Sequence, residues 1–152
     1  MNVGRVAVEK NIEAFLRLDL PGSKYIVGDG PDLERLEQKY PRARFVGAKF
    51  GAVLADYYAA ADVFVFPSKT DTFGLVMLEA LACGTPIAAY PVRGPIDVVE
   101  QGVTGYPSKE LNDAVRKALR IDRTNCRKHA LRWSWEESAR HFLSNLVSAR
   151  RE

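Results

Sequence analysis

The stretch Asp62-Val63-Phe64-Val65-Phe66-Pro67 indicates the fold class of this chain. Its four central residues are all apolar, and a charged residue and a proline bound the run on either side. Such a short, continuously apolar run is typical of a strand that is covered on both faces, and strands of this kind occur mainly in parallel sheets flanked by helices. The stretch therefore predicts a central strand of an α/β domain.

Segments before and after this strand alternate between strand-like and helix-like patterns. The strand-like runs cover residues 1–5, 24–27, 44–46, 63–66, 86–90 and 104–106, and the helix-like runs between them cover residues 9–18, 32–40, 52–60 and 74–82. Regular alternation of this kind builds βαβ units with parallel strands. We therefore predict an α/β fold, a Rossmann-like doubly wound parallel sheet of about six strands.

The segment from Ser108 onward has a helical pattern only. Apolar residues recur there at helical spacing, and breaks near Asp122 and Ser134 divide the segment into three helices. A chain of 152 residues is long enough for one compact domain with a sizeable core. We therefore predict a single domain over residues 1–152 with a helical C-terminal tail.

Composition and charge exclude several classes of function. The formal net charge is +3 and no long run of Lys and Arg is present, so the chain is not predicted to bind nucleic acid. No window approaches the roughly 20 apolar residues of a transmembrane helix, which leaves peripheral association as the only membrane interaction still open. Cys83 and Cys126 lack metal-ligand spacing and no secretory signal is visible, so we expect reduced thiols and a cytoplasmic location.

Residues with binding chemistry follow four of the predicted strands. In open α/β sheets, ligands bind beyond the carboxyl ends of the strands. Gly4-Arg5 follows the first strand, Gly28-Asp29-Gly30 the second, Gly47 the third, and residues 68–74 the fourth. We therefore expect these segments to converge on one crevice.

The helix predicted over residues 74–82 opens with Gly74 and is apolar nearly all round, so we expect it to be buried. Glu79 is its only charge, and a buried carboxylate needs a partner. A cation such as Arg5, the paired hydroxyls of a ribose, or nearby backbone amides would each serve. Gly74 lets a phosphate approach the amides of the helix start. Asp71, just before it, is either a helix cap or a sugar ligand.

Arg5 and Lys10 are the two cations nearest the predicted crevice. Together they suit a diphosphate, although Lys10 taken alone is more typical of a solvated helix face. His129 and His141 lie in the predicted C-terminal helices, away from the strand ends, so we expect packing or surface roles for them. No metal-ligand cluster is apparent.

Taken in order, these segments resemble the C-terminal domain of retaining glycosyltransferases of family four, the glycosyl transferases group 1, which have the GT-B fold. The resemblance covers roughly residues 3 to 106, and the ordered set is far more specific than any one segment. The matching segments are Gly4-Arg5-Val6-x-x-Glu9-Lys10-Asn11, Gly28-Asp29-Gly30-Pro31, Phe45-Val46-Gly47, Ala61-Asp62-Val63-Phe64-Val65-Phe66-Pro67-Ser68, Thr72-Phe73-Gly74-Leu75-Val76-Met77-Leu78-Glu79-Ala80, Gly84-Thr85-Pro86 and Gly102-Val103-Thr104-Gly105.

The resemblance implies a role for each matching residue. Asp71 and Glu79 match two acids of the family that are separated by seven residues. The first contacts the donor sugar, with help from the amides that follow, and the second holds the ribose hydroxyls. Arg5 and Lys10 match the cations that grip the diphosphate and stabilise its charge as it leaves. The implied donor-binding positions are Gly4, Gly28, Ala48, Lys49, Thr72, Phe73, Gly74, Leu75 and Val76, with the base near Ala48 and Lys49.

The function implied by the resemblance is retaining, metal-independent glycosyl transfer, hexosyltransferase-like, from a nucleotide-diphospho-sugar such as a UDP- or GDP-sugar. No cofactor is expected. The predicted first strand begins almost at Met1, so we expect the N-terminal acceptor domain to be absent and the isolated domain to be inactive or weakly active. Asp71 departs from the family pattern, because Glu is commoner there, and its carboxylate is one methylene shorter.

Two alternatives remain at the level of sequence. One is a non-catalytic module that binds nucleotide sugars. The other is a sugar-nucleotide epimerase of related fold, which would need acid and base residues in the crevice, where neither His129 nor His141 is predicted to lie.

Overall fold

The computed structural model describes residues 1–146, so the last six positions of the predicted domain lie outside the described residues. Six parallel strands form two three-stranded sheets, with β1-β2-β3 in one and β4-β5-β6 in the other. The strands are β1 (Asn2–Val3), β2 (Tyr25–Val27), β3 (Arg44–Phe45), β4 (Phe64–Phe66), β5 (Ile87–Ala89) and β6 (Gly105–Pro107).

The two sheets meet edge to edge at β1 and β4. The Met1 nitrogen donates to the Val63 carbonyl at 2.8 Å, and the Val65 amide donates to the Met1 carbonyl at 2.8 Å. The side-chain amide of Asn2 adds a bond to the Val65 carbonyl at 2.9 Å. The strand order across the molecule is therefore β3-β2-β1-β4-β5-β6, and it reverses between β1 and β4. Such a reversal creates a crevice at the carboxyl ends of the two strands.

Eight α-helices and one 3₁₀ turn connect and flank these strands in the described residues. The turn is Val8–Lys10, and the helices are α1 (Ile12–Leu16), α2 (Leu33–Lys39), α3 (Gly51–Ala60), α4 (Leu75–Ala82), α5 (Pro95–Val98), α6 (Leu111–Ala118), α7 (Arg123–Ala130) and α8 (Trp135–Ser144). None of them is long and apolar enough to cross a membrane.

Side chains of the strands enter two separate cores. Phe64 and Phe66 face a core shared with α3, α4 and α7, whereas Val65 faces a core shared with α1, α2 and α6. Successive residues of a strand point to opposite faces of the sheet, so helices must cover both faces of β4. The predicted α/β fold, with a doubly wound parallel arrangement, is confirmed.

Local signals in the tail also match the structure. The Asp122 carboxylate accepts the Thr124 amide at 2.9 Å and so caps α7, and the Ser134 hydroxyl accepts the Glu137 amide at 3.0 Å and so caps α8. Both breaks in the predicted helical tail are therefore helix N-caps, which terminate and restart helices through short-range hydrogen bonds.

Two predicted helices differ from the structure. Residues 9–18 form a turn and a short helix, because Asn11 adopts the left-handed conformation (φ 51°) between them. The second difference is α4, which is buried on one side only. Met77 and Leu81 are fully buried, but Leu75 is 56% exposed and Glu79 is exposed. The prediction that Glu79 is a buried charge is wrong, since apolar composition alone does not show which side of α4 faces the sheet.

Candidate functional site

A crevice of about 470 Å³ opens at the carboxyl ends of β1 and β4, where the strand order reverses. Seven of the predicted site residues line it: Gly4, Arg5, Lys10, Asp71, Gly74, Leu75 and Val76. They come from two chain segments, residues 4–10 after β1 and residues 71–76 after β4, which the sheet topology brings together. The segments after β2 and β3, which were also expected at this crevice, are not among its lining residues in the described part of the chain.

One wall of the crevice is the loop after β1. The Gly4 amide donates to the Val27 carbonyl at 3.0 Å, and the loop after β2 crosses directly over this point. A Cβ atom at Gly28 would lie 1.8 Å from the Gly4 carbonyl oxygen, and one at Gly30 would lie 2.3 Å from the Val6 carbonyl oxygen. Gly28 is thus not part of the lining. It allows the close packing of the two loops that holds the wall.

The opposite wall is the segment between β4 and α4. The Asn11 side-chain amide donates to the Pro67 carbonyl at 3.0 Å and so ties this segment to the start of α1. Ser68, only 2% exposed, accepts the Thr70 amide through its hydroxyl at 3.4 Å. These bonds fix the segment that carries Asp71.

Lys10 and Asp71 form the central pair of the crevice. The Lys10 ammonium donates to Asp71 Oδ1 at 2.5 Å, with the two side chains 30% and 24% exposed. The other oxygen, Asp71 Oδ2, is buried and has no hydrogen-bond partner among the described residues. A buried acceptor without a partner is uncommon in folded proteins, and Asp71 Oδ2 therefore has the capacity to accept a hydrogen bond from a bound molecule.

The position of Asp71 settles one alternative from the sequence. The N-cap residue of α4 is Gly74, and no side chain makes a capping bond to this helix. Asp71 therefore does not cap α4, and its carboxylate faces Lys10 instead.

The start of α4 faces the crevice through Gly74. This residue has φ 78°, and a Cβ atom there would lie 2.9 Å from the Phe66 ring. Because the first amides of a helix have no intrahelical acceptor, the start of this eight-residue helix presents N–H groups and a partial positive charge. A side chain at position 74 would collide with the Phe66 ring and the Met77 side chain, so close packing and the positive φ both favour glycine there.

Arg5 lies at the mouth of the crevice. Its guanidinium is 4.0 Å from the Glu9 carboxylate, and the two side chains are 65% and 52% exposed. An exposed pair at this distance contributes little stability, so the side chain can reorient toward a ligand at small cost. Arg5 and Lys10 thus supply two cations beside the start of α4.

Glu79 lies outside the crevice lining. Its Oε2 accepts a hydrogen bond from the Tyr58 hydroxyl at 3.0 Å. Tyr58, in α3, is 1% exposed, and burial together with the nearby Glu79 raises its pKa. In the described part of the chain, neither Arg5 nor a backbone amide bonds the Glu79 carboxylate, so two of the partners considered from the sequence do not serve it. Tyr58 was missed because nothing in the pattern of α3 shows which of its side chains meets α4.

The remaining predicted positions also lie outside the crevice lining. Ala48 and Lys49 lie in the loop after β3, directly after Gly47, whose carbonyl accepts the Gly28 amide at 3.0 Å. This loop is separated from the loop after β1 by the loop after β2, because β2 lies between β1 and β3. Thr72 is exposed, and Phe73 packs against Trp133 with ring centroids 5.7 Å apart. Within residues 1–146, no group of three or more His, Cys, Asp and Glu side chains could hold a metal ion.

Comparisons with known proteins agree with this architecture. The sequence model of the family described as glycosyl transferases group 1 matches residues 1–121. A GDP-mannose-dependent alpha-mannosyltransferase of Mycobacterium tuberculosis (strain CDC 1551 / Oshkosh) is 43% identical over 105 residues, which make up 68% of this chain and 28% of that protein.

Two solved structures show the same fold. The sucrose-phosphate synthase of Thermosynechococcus elongatus superposes with a TM-score of 0.77 at 31% identity, covering 94% of this chain and 44% of that one. Anabaena Alr3699/HepE in complex with UDP superposes with a TM-score of 0.74 at 24% identity, covering 95% of this chain and 48% of that one.

The chain spans less than a third of the mannosyltransferase and less than half of either solved chain. The family match nevertheless includes every predicted site residue, from Gly4 to Glu79. The chain therefore belongs to the glycosyl transferases group 1 and matches the C-terminal domain of their GT-B fold.

Proposed function

We propose that the crevice between β1 and β4 binds a nucleotide-diphospho-sugar, and that this domain serves retaining glycosyl transfer when the rest of a transferase is present. One observation supports this most directly. The Lys10–Asp71 pair leaves Asp71 Oδ2 buried with no partner among residues 1–146, in a crevice that Arg5 and the start of α4 also line. The site thus offers positive charge for a diphosphate and an acceptor for a hydroxyl.

The diphosphate would occupy the space between Arg5, Lys10 and the amides at the start of α4. A guanidinium can make two parallel bonds to a phosphate, whereas an ammonium acts as a point charge, so the two cations are complementary. Gly74, Leu75 and Val76 at the start of α4 line this space. These groups would also stabilise the charge that develops on the diphosphate as the sugar departs, while the acceptor attacks from the same face.

The donor sugar would lie against Asp71. A carboxylate oxygen that is buried without a partner gains a hydrogen bond when a sugar hydroxyl donates to it. Lys10 holds the other oxygen, so the orientation of the carboxylate is already set. Asp71 would therefore distinguish a nucleotide sugar from the nucleotide alone.

The ribose would lie against Glu79, and the base against the loop of Ala48 and Lys49. Glu79 is exposed and one turn further along α4 than the phosphate site, in a position to meet the nucleoside rather than the diphosphate. The UDP bound by HepE supports the choice of a nucleoside diphosphate. The name of the mannosyltransferase adds GDP-mannose as a candidate donor.

Two further properties are part of this proposal. We propose metal-independent transfer without a cofactor, because two side-chain cations line the crevice. We also propose a cytoplasmic location, since Cys83 and Cys126 are free thiols in the described part of the chain.

The alternative of an epimerase receives no support from the site. Neither His129 nor His141 lines the crevice. His129 instead lies with its Nε2 3.1 Å from the Val98 carbonyl oxygen, among residues of α5 and α7. Neither histidine is therefore placed to act as an acid or base on a sugar in the crevice.

The proposal is tested by calorimetry and thermal shift with UDP, GDP and ADP and their sugars. A ligand that binds only the folded state stabilises it by about 2.7 kcal/mol at about 100 times its Kd, so one nucleotide should raise the unfolding temperature clearly above the others. Lys128→Ala, an exposed cation of α7, serves as the control for nonspecific charge effects. Binding of none of these nucleotides would refute the proposal.

A further inference from the structure

The Glu79 carboxylate has one hydrogen-bond donor in the described part of the chain, the Tyr58 hydroxyl. The bond to Oε2 measures 3.0 Å, and no described cation lies within 4.0 Å of the carboxylate. Glu79 itself is exposed. An exposed glutamate normally samples many rotamers. A hydrogen bond from a fixed donor restricts the Glu79 carboxylate to fewer orientations.

Tyr58 is held firmly in place. Its ring is buried and stands edge-on to Phe64, with centroids 5.7 Å apart and an interplanar angle of 69°. Its backbone carbonyl accepts the hydroxyl of the buried Thr85 at 2.6 Å. The phenol oxygen therefore has a fixed position relative to α4.

The chemistry of this bond suits a carboxylate that must accept further hydrogen bonds. Burial, and secondly the charge of Glu79, raise the pKa of Tyr58, so the phenol remains a neutral donor. A cation in its place would compensate the negative charge of Glu79. The phenol orients the carboxylate through Oε2 and leaves Oε1 and the full charge available to another donor.

We infer that Tyr58 is a positioning residue, which holds the Glu79 carboxylate so that it accepts the paired hydroxyls of the donor ribose. This inference rests on the proposed function, because it names how that same site recognises the sugar of the nucleoside. Tyr58 itself touches no ligand, since it is buried beneath Glu79.

The test compares Tyr58→Phe with the unaltered chain by calorimetry. The ligands are the preferred nucleoside diphosphate, its 2′-deoxy analogue and inorganic pyrophosphate. Phenylalanine keeps the ring packing against Phe64 and removes only the hydroxyl. The affinity for the ribonucleotide should fall about 2- to 10-fold, the range for one net hydrogen bond. The affinity for pyrophosphate should stay the same, and the affinity for the deoxy analogue, which keeps one of the two hydroxyls, should fall less than that for the ribonucleotide, so selectivity for ribose should shrink.

Tyr57→Phe is the matched control. Tyr57 is the preceding residue of α3, packs against Tyr25, and its hydroxyl makes no hydrogen bond within residues 1–146. This variant should behave as the unaltered chain with all three ligands. Glu79→Asp is a second probe, because it withdraws the carboxylate from the phenol while Tyr58 stays intact. It should lose the same ribose selectivity.

The outcomes separate the inference from the proposed function. If the unaltered chain binds no nucleoside diphosphate, both fail. If it binds one and Tyr58→Phe keeps the full preference for ribose, only the positioning role fails. An equal loss for all three ligands in Tyr58→Phe would also overturn the inference, because the hydroxyl would then stabilise the site as a whole rather than the contact to ribose.

Discussion

Lys10 and Asp71 lie 61 positions apart in the chain and form an ion pair of 2.5 Å inside the crevice. The pair joins the turn after β1 to the segment after β4, so it spans the point where the strand order reverses. Each partner keeps capacity for a ligand. Lys10 has two more donor hydrogens, and the second oxygen of Asp71 is buried and has no partner in the part of the chain that the structure describes.

The Lys10 ammonium should be a main source of diphosphate affinity. Lys10→Met removes the charge and keeps most of the side-chain length. Binding of the preferred nucleoside diphosphate should weaken by about 1.5–3 kcal/mol, the range for hydrogen bonds to charged groups, while binding of the nucleoside without phosphate should not change. Calorimetry measures both, with Lys128→Met as the control. Equal losses for nucleoside and diphosphate would contradict this role.

Asp71→Asn tests the contact to the donor sugar. The amide has nearly the same shape, but it is a weaker acceptor and no longer carries a charge. The affinity for the nucleotide sugar should fall about tenfold or more, the equivalent of one charge-assisted hydrogen bond. The affinity for the nucleoside diphosphate should not fall, because Lys10 is released from its partner and remains available. A parallel loss for both ligands would mean that Asp71 acts only by holding Lys10.

The features that could be predicted from the sequence depend on local interactions or on the topology of parallel sheets. Asp122 and Ser134 were identifiable as helix boundaries because caps bond within three residues. The grouping of Gly4, Arg5 and Gly74 in one crevice followed from their positions after parallel strands. Neither inference requires knowledge of side-chain packing.

The features that could not be predicted depend on how helices pack. The exposure of Glu79 and its bond to Tyr58 result from the side of α4 that meets α3, and the apolar composition of α4 fits either side equally well. Predicting the ion pair of Lys10 with Asp71 requires knowledge of the path that the chain takes after β4. The bond from Asn11 to the Pro67 carbonyl fixes that path. An irregular segment of this kind has no periodic pattern.

Gly28→Ala should destabilise the fold strongly. The added Cβ would lie 1.8 Å from the Gly4 carbonyl oxygen, a backbone atom that cannot rotate away, and φ is 145°. Gly22→Ala is the matched control, because Gly22 also has positive φ (94°) but has no atom within 4 Å of the added Cβ. The control should lose only the conformational cost of about 1–3 kcal/mol. Urea unfolding should show a larger loss of the free energy of unfolding for Gly28→Ala than for Gly22→Ala. Equal losses in the two variants would contradict the close approach of the two loops.

Glu13 should make the fold sensitive to acid. Its carboxylate accepts bonds from Lys39 and Arg17 at 2.6 Å each and from the Tyr40 hydroxyl at 2.9 Å. These bonds, from Lys39 first, hold the pKa of Glu13 well below its ordinary value of 4.5. A carboxyl with a lowered pKa in the folded state stabilises the fold fully above its unfolded pKa, and this contribution decreases as the pH falls toward the folded pKa.

Glu13→Gln should therefore lower the unfolding temperature at pH 7, and the difference from the unaltered chain should shrink between about pH 5 and pH 3 as the unaltered chain loses its advantage. Glu37→Gln is the control, because Glu37 is an exposed residue of α2 that forms no ion pair in the described part of the chain. The unfolding temperature of Glu37→Gln should equal that of the unaltered chain both at about pH 7 and at about pH 3. Melting curves by circular dichroism across this range provide the measurement. A difference between Glu13→Gln and the unaltered chain that stayed constant down to pH 3 would show that the carboxylate stabilises α1 and α2 through packing rather than through its charge.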